Sequence, residues 1–296
     1  MKYKTYIVIV SLDPDIAHLR AVAECITSAG CVPVIADNGS KDVRSIREIP
    51  GCQLISLGEN TGIAHAQNKG IECALENGAE VIGFFDQDST ADEALIHTLT
   101  AALENENVKI AAPVSVDAKT GEAYPNHRVG SNGRLVDVYP DGKDALTQVD
   151  VAISSGTFVK REVFAKVGLF DESFFIDFVD VEWCLRCRRA GIPITIVNAA
   201  RMPHSIGESN RKIGPLTVNV HSPYRTYYKV RNAFLLSSKG LGRSFSFSQL
   251  LPAVVQNGLL IFDKQRGKEY RKYYFQAIKD GLKKRDGKYE QWHNRT

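Results

Sequence analysis

The first third of the chain alternates continuous apolar runs with amphipathic stretches. Tyr6–Val10 is an unbroken apolar run, the pattern of a parallel strand covered on both faces. Ile16–Ala29 then places apolar residues at helical intervals, and Val32–Ala36 is a second strand followed by the polar turn Asp37-Asn38-Gly39-Ser40. Gln53–Leu57 predicts a third strand, Ala64–Asn77 a helix, and Val81–Phe85 a fourth strand that runs into Asp86-Gln87-Asp88. Ala91–Glu104 is again helical and Ile110–Val114 returns to strand. Strands that alternate with helices in this way predict an α/β fold with a mostly parallel, doubly wound sheet.

The pattern changes after that. Residues 117–148 are rich in Gly, Pro, Asn and Asp and predict an irregular excursion with a small antiparallel ribbon. Val149–Ser154 is expected to rejoin the sheet. Glu162–Val167 and Val179–Ala190 are predicted helices, and Ile192–Val197 a late edge strand. Ser222–Ser238 and Phe247–Phe262 return to helical spacing; the latter serves equally well as an intramolecular or a homodimer surface. In Lys264–Lys288, ten Lys or Arg residues interleave with Tyr270, Tyr273, Tyr274, Phe275, Ile278 and Leu282. Two readings fit: a helix on an anionic membrane with its rings at headgroup depth, or a solvated helix packed by one face.

Bulk properties narrow the classes. A chain of 296 residues that is 44% hydrophobic can bury a large core. A net charge of only +3 argues against nucleic acid as the main partner. The opening apolar run is too short for an export signal or a membrane span, which predicts a cytoplasmic protein, either soluble or peripheral on the inner face of the membrane. Six cysteines fall mainly on apolar patterns, and Cys184/Cys187 lack the second pair or nearby histidine of a zinc site, so they read as structural thiols. Neither G-x-G-x-x-G nor a P-loop follows the first strand, and no G-x-S-x-G elbow occurs.

The chemistry gathers at strand ends. In an open parallel sheet, ligands bind beyond the carboxyl ends of the strands. Asp37 there can accept from a base or a ribose, or simply close its own turn. Asp86-Gln87-Asp88 delivers two carboxylates at the tip of the fourth strand. Hard divalent cations take such oxygens and share them with substrate phosphates, which suits Mg²⁺ or Mn²⁺. The alternative is a helix start with Asp88 as its cap. A second acidic cluster surrounds Asp180, where Phe174, Phe175 and Phe178 are placed to exclude water. Inverting displacement at an anomeric carbon needs one base, and Asp177 and Glu182 compete with Asp180 for that role. Glu182 also has Arg186 four residues on. In His221–Asn232, Arg225, Tyr227, Tyr228 and Arg231 either clamp a diphosphate or dock the terminal helices.

Five ordered blocks carry a resemblance: DNGS at 37–40, GENTGIAHAQNKGI at 58–71, FFDQDS at 84–89, the long segment from Ser154 to Gly191, and HSIG at 204–207. The chain resembles the GT-A fold, family 2 inverting glycosyltransferases, and among them the bacterial rhamnosyltransferases of O-antigen and cell-wall polysaccharide synthesis. The resemblance spans about residues 4–235. It implies a GT-A, Rossmann-like, mostly parallel sheet flanked by helices: a catalytic domain at 1–220, with a nucleotide-sugar half to about 115 and an acceptor half beyond, then a C-terminal helical extension at 221–296. It implies donor contacts at Asp37, Asn60, Gly62, Asn68, Asp86 and Gln87, and a metal at Asp88 and Asp86 with His204 near it or the diphosphate. It also implies acceptor-side residues Ser155 and Gly156, and Asp180 as the base; Asp177, if not the base, reads as a contact to acceptor hydroxyls. Val179 stands where relatives carry Glu, and Ser11–Asp15 departs from the usual first loop. The implied reaction moves rhamnose from dTDP-β-L-rhamnose to a saccharide acceptor carried on a lipid. A UDP-hexose donor and a non-catalytic sugar-nucleotide-binding protein remain alternatives.

Overall fold

A computed structural model describes residues 2–140, 144–204, 209–213, 216–240 and 243–293. The chain forms two compact units. One comprises residues 1–128, 137–171 and 180–204; the other comprises 129–136, 172–179 and 205–296.

The first unit is built on an eight-stranded sheet. In chain order its elements begin β1 (Thr5–Ser11), α1 (Ile16–Ser28), β2 (Val32–Asp37), α2 (Val43–Arg47), β3 (Gln53–Ser56), α3 (Ile63–Glu76), β4 (Val81–Asp86), α4 (Glu93–Ala102) and β5 (Ile110–Asp117). A ribbon of β6 (Asn126–Val129) and β7 (Leu135–Val138) follows, in the excursion where one was expected. Then come β8 (Leu146–Val149), β9 (Phe158–Lys160), α5 (Arg161–Val167), α6 (Val179–Arg189) and β10 (Ile194–His204).

The strand order is β3-β2-β1-β4-β9-β5-β10-β8. β1 runs parallel to β2 and β4, β2 to β3, and β5 to β10, while β9 is antiparallel to both β4 and β5. Two reversals across β9 cancel, so β1–β5 and β10 all point the same way. The carboxyl ends of six strands therefore line one edge of the sheet. Ile7, Ile9, Val34, Ile35, Val81, Ile82 and Ile110 are buried in the sheet, as covering on both faces requires.

Three expectations need correction. Of Val149–Ser154 only Val149 returns to the sheet, as the last residue of β8, and β9 follows the segment. β9 has three residues, too few for any period to show. The late strand is not an edge, because β8 covers it by antiparallel pairing from Ile194 to Val197. It also continues to His204 after a register shift between Val197 and Arg201, and that bulge broke the alternation the sequence showed.

The second unit is largely helical. β11 (Ser209–Ile213) and β12 (Leu216–Val220) form an antiparallel hairpin, followed by α7 (Pro223–Ser238), α8 (Arg243–Leu259), α9 (Gly267–Leu282) and α10 (Glu290–His293). Ser222 caps α7 by accepting from the Arg225 amide, with Pro223 in the first turn. Phe175, Tyr227, Tyr228, Tyr274 and Tyr289 pack as one cluster. Tyr270 and Tyr274 of α9 are buried rather than held out at headgroup depth. The packed-face reading of α9 holds for those rings, and Phe275 and Leu282 remain exposed.

Candidate active site at the carboxyl edge of the sheet

Strand register brings the first carboxylates together. Ser11 pairs with Asp37, Val10 with Asp86, and Asp37 with Ser56. Asp37 and Asp86 thus end strands on either side of β1. Asp37 is buried at 1% exposure, and its carboxylate accepts from the Ser40 amide at 3.3 Å, from the Ser40 hydroxyl and from Ser11 Oγ at 3.4 Å. The following Gly39 is at φ +93°, and a Cβ there would lie 2.6 Å from the Glu59 carbonyl carbon. Only glycine lets the two turns approach this closely.

The Asp86–Asp88 turn is held from behind. Ser89 Oγ accepts from the Asp86 amide at 2.9 Å and bonds Ser155 Oγ at 2.9 Å; Ser155 Oγ also lies 3.3 Å from that amide. His18 Nε2, on α1, contacts the Ser89 carbonyl at 3.1 Å. Gln87 pairs with the backbone of Leu12: its Oε1 accepts from the amide at 2.7 Å and its Nε2 donates to the carbonyl at 3.3 Å. Asp88 is exposed and Asp86 half-buried. The turn therefore exposes Asp88 while hydroxyls and an amide side chain fix its backbone. His18 and Ser89 were not singled out from sequence. A serine directly after the acidic triplet was the available signal for one, but nothing local marked the histidine.

Several residues expected at the donor are already engaged. Asn60 Oδ1 accepts from Asn38 Nδ2 and the Gly62 amide, both at 3.1 Å. Gly62 is the N-cap residue of α3. Asn68 is buried, and its carboxamide pairs with both the amide and the carbonyl of Phe170, each at 2.9 Å. Gly156 sits at φ +79°, donates to the Phe84 carbonyl at 2.7 Å, and would drive a Cβ to 2.7 Å from Pro113 Cγ. Ser155 and Gly156 thereby fasten the acidic turn to the sheet.

Asp180 lies in the first turn of α6 and is half-buried. It lines a small, mainly apolar pocket with Phe84, Ser154, Phe170, Trp183 and Cys184. Phe84 is two residues before Asp86, and Ser154 adjoins Ser155. Asp180 therefore shares a pocket with residues that neighbour the acidic turn and its brace in sequence. The expected wall of Phe174, Phe175 and Phe178 is replaced by Phe84, Phe170 and Trp183, whose ring centroids lie 5.6 Å (Phe84–Phe170) and 5.4 Å (Phe170–Trp183) apart. Phe174 and Phe175 are instead buried in the helical unit, where Phe175 stacks on Tyr228 at 4.9 Å.

Glu182 is 4% exposed and paired with Arg186 Nη2 at 2.9 Å. Arg186 also donates to the Val167 and Leu169 carbonyls, each at 2.7 Å. That engagement removes Glu182 from competition as a base. In the helical unit, Asp177 accepts two bonds from Arg225, from Nε at 3.1 Å and from Nη2 at 3.0 Å. Arg231 is buried and donates to the carbonyls of Phe174, Arg285 and Gly287, while Tyr227 donates to Asp280. Arg231 and Tyr227 thus dock the terminal segments.

His204 ends β10 in register with Asp117, the last residue of β5, and is half-buried. The remaining residues of its motif, 205–207, lie outside the described residues. Asp117 itself serves its own turn. The Tyr124 hydroxyl, then the Thr120 and Lys119 amides, pull its carboxyl down to about 2. Among the described residues no three His, Cys, Asp or Glu side chains form a ligand cage. Two carboxylates on a fixed turn, one of them exposed, nevertheless suit a hard cation that completes its shell with water and phosphate oxygens. None of the six cysteines is in a disulfide, and burial pushes Cys31 and Cys187 up to about 12, as inert structural thiols require.

A family model described as "Glycosyl transferase family 2" matches residues 32–168. The chain is 39% identical to the dTDP-rhamnosyl transferase RfbF of Shigella flexneri over 96% of its own length and 97% of that protein. A crystal structure of GalNAc-T7 with UDP, GalNAc and Mn²⁺ superposes with a TM-score of 0.57 at 12% identity, over 88% of this chain and 58% of that one. A crystal structure of S. aureus TarS superposes with the same TM-score of 0.57 at 13% identity, over 95% and 49%. The sheet and its flanking helices have the GT-A glycosyltransferase architecture. By sequence and by fold, the chain belongs to glycosyl transferase family 2.

Proposed function

We propose that the chain is an inverting rhamnosyltransferase that moves rhamnose from dTDP-β-L-rhamnose to a saccharide hydroxyl. The observation that carries this reading is the pocket at Asp180, whose walls include Phe84 and Ser154, neighbours in sequence of the acidic turn and its brace. That adjacency supports pairing one carboxylate for the acceptor with two for the donor. The near full-length likeness to RfbF supports the choice of donor.

Asp180 takes the proton from the acceptor hydroxyl as that oxygen attacks the anomeric carbon. The apolar wall of Phe84, Phe170 and Trp183 keeps competing water from the carboxylate. Asp37 orients the nucleoside through its turn, and Asp177, steadied by Arg225, receives acceptor hydroxyls. Asp88 and Asp86 would hold Mg²⁺ or Mn²⁺, which when bound neutralises charge on the departing diphosphate. Because that leaving group is already stable, no second protein acid is needed.

Asp180→Asn should lower transfer by about 10³-fold, within the range of general-base contributions. Donor binding, read by saturation-transfer NMR, should stay unchanged. Equal turnover by the variant would remove Asp180 from the base role. Chelator should stop transfer and added Mg²⁺ or Mn²⁺ restore it; chelator-resistant turnover would refute the metal.

The acceptor is proposed to be lipid-linked, with the protein peripheral at the membrane. No helix among the described residues is long and apolar enough to cross a bilayer. Lys268, Arg271, Lys272, Phe275 and Lys279 share an exposed face of α9, which suits anionic headgroups with one inserted ring. Vesicles containing phosphatidylglycerol should sediment the protein, and Lys272→Glu with Phe275→Ser should release it. Unchanged sedimentation would dismiss this face.

A further inference from the structure

The segment just ahead of Asp180 adopts a backbone that its residues do not favour. Phe175, Asp177 and Phe178 have φ of +63°, +62° and +65°, a region that L side chains with a Cβ normally avoid. Three such residues within four positions persist only when the surroundings impose them. The imposing group lies on α7. Asn232, with 0% exposure, directs Nδ2 at three carbonyls of this segment: Phe174 at 2.8 Å, Ile176 at 2.6 Å and Asp177 at 2.9 Å.

The amide is oriented from its other side. Arg231 Nε donates to Asn232 Oδ1 at 2.6 Å, so the oxygen faces the guanidinium and the donors face the segment. Arg231 Nη2 adds a bond to the Phe174 carbonyl at 3.2 Å. One turn earlier Tyr228 stacks on Phe175, and Arg225 grips the Asp177 carboxylate. Residues 225, 228 and 232 share one helical face. Asp177 is therefore held twice from α7, by its carboxylate and by its carbonyl.

We propose that Asn232 is a positioning residue for acceptor binding, fixing the backbone that aims Asp177. The proposal rests on the reading of Asp177 as an acceptor contact. No other side chain of this size can donate to several carbonyls and accept from Arg231 at once. Asparagine is required because an aspartate would turn oxygens toward oxygens.

The test uses the full chain with Asn232→Asp and Asn232→Ser, the latter keeping one donor in case the former folds poorly. Arg225→Lys serves as a comparison. Hydrogen exchange is followed at the Phe175 and Ile176 amides, which bond to the Glu172 and Phe174 carbonyls. In parallel, KM is measured for dTDP-rhamnose and for octyl α-L-rhamnoside and octyl N-acetyl-β-glucosaminide. Both Asn232 variants should speed exchange in 172–179 at least 10-fold while α7 stays protected, and raise acceptor KM at least 10-fold with donor KM unchanged. Arg225→Lys should raise acceptor KM without the exchange change. Unchanged exchange in 172–179 overturns the proposal, as does an equal rise in both KM values. If wild type transfers to neither probe while the variants loosen the segment, the clamp stands and these glycosides fail as the acceptor class instead.

Discussion

The sheet unit and the helical unit handle polar groups in opposite ways. In the sheet unit the interior is mainly apolar, with a few buried polar groups such as Asn68 and Glu182 paired locally, and the chemistry sits where strands end. The Asp86–Asp88 turn is fixed by Ser89, Ser155 and Gln87 and leaves Asp88 exposed. In the helical unit, charged groups lie inside. Asp280 is fully buried and accepts from Tyr227, Gln276, Arg285 and His293; Arg231 and Asn232 are buried in the same unit and hydrogen-bonded to backbone carbonyls. A buried charge is tolerable only when it is paired, so the second unit leans on hydrogen-bonded networks more than the first does.

The largest break in that contrast is Asp280→Ala. Removing the shared acceptor strands an arginine and two or more donors, and should cost about 3–5 kcal/mol. Denaturant melts of the full chain measure it, and a loss below about 1 kcal/mol would mean the network is dispensable. Burial alone would raise the Asp280 carboxyl, yet the bonds from His293, Tyr227 and Gln276 win and hold it below the ordinary carboxylate range.

The next effect is pH-dependent. His221 is buried and pushed down to about 4, first by burial and then by the charges of Lys229 and Arg225, with Asp177 opposing. Its Nε2 accepts from Lys229 at 2.7 Å, so it is neutral in the fold. The unfolded chain takes up a proton near pH 6.5, while the folded chain refuses it until about 4. Stability from this group is therefore full above pH 6.5, falls as pH drops through that window, and levels off below it, by about 2–3 kcal/mol in all. The difference in melting between wild type and His221→Gln from pH 7 to 4.5 reads it; parallel curves would refute it.

In the sheet unit, Gly39→Ala should cost about 2 kcal/mol, from the positive φ and the Glu59 backbone together. A melt within 0.5 kcal/mol of wild type would show that the turn relaxes. The smallest effect sharpens the contrast from the other side. Arg44 and Glu48 form an exposed i,i+4 pair at 3.5 Å, and Arg44→Ala should change stability by less than about 0.5 kcal/mol. Double-mutant cycles at this pair and at Arg285–Asp280 would compare the two regions directly.

Much of the sheet unit was legible in sequence because its signals are local. Val81–Phe85 is apolar throughout and stops at Asp86, so strand, terminus and candidate ligand could be read together. Arg186 paired with Glu182 at a spacing that a helix dictates. β9 was not legible, since three residues carry no period, and β10 was cut short at its bulge. Nor could the sequence say that Ser155 would brace Asp86 across 69 residues or that Asn68 would be spent on Phe170.

The sequence by itself determined the alternation of strands and helices, the acidic turn at a strand tip, the family blocks and the amphipathic terminal helices. Each follows from periodicity or from residues adjacent in the chain. The tertiary structure decided which polar groups face outward and which are consumed: Glu182 and Asn68 in the core of one unit, Tyr227, Arg231 and Asn232 in the other. Hydrogen-bond satisfaction is a property of partners brought from far along the chain, and no window of sequence contains both ends of such a bond.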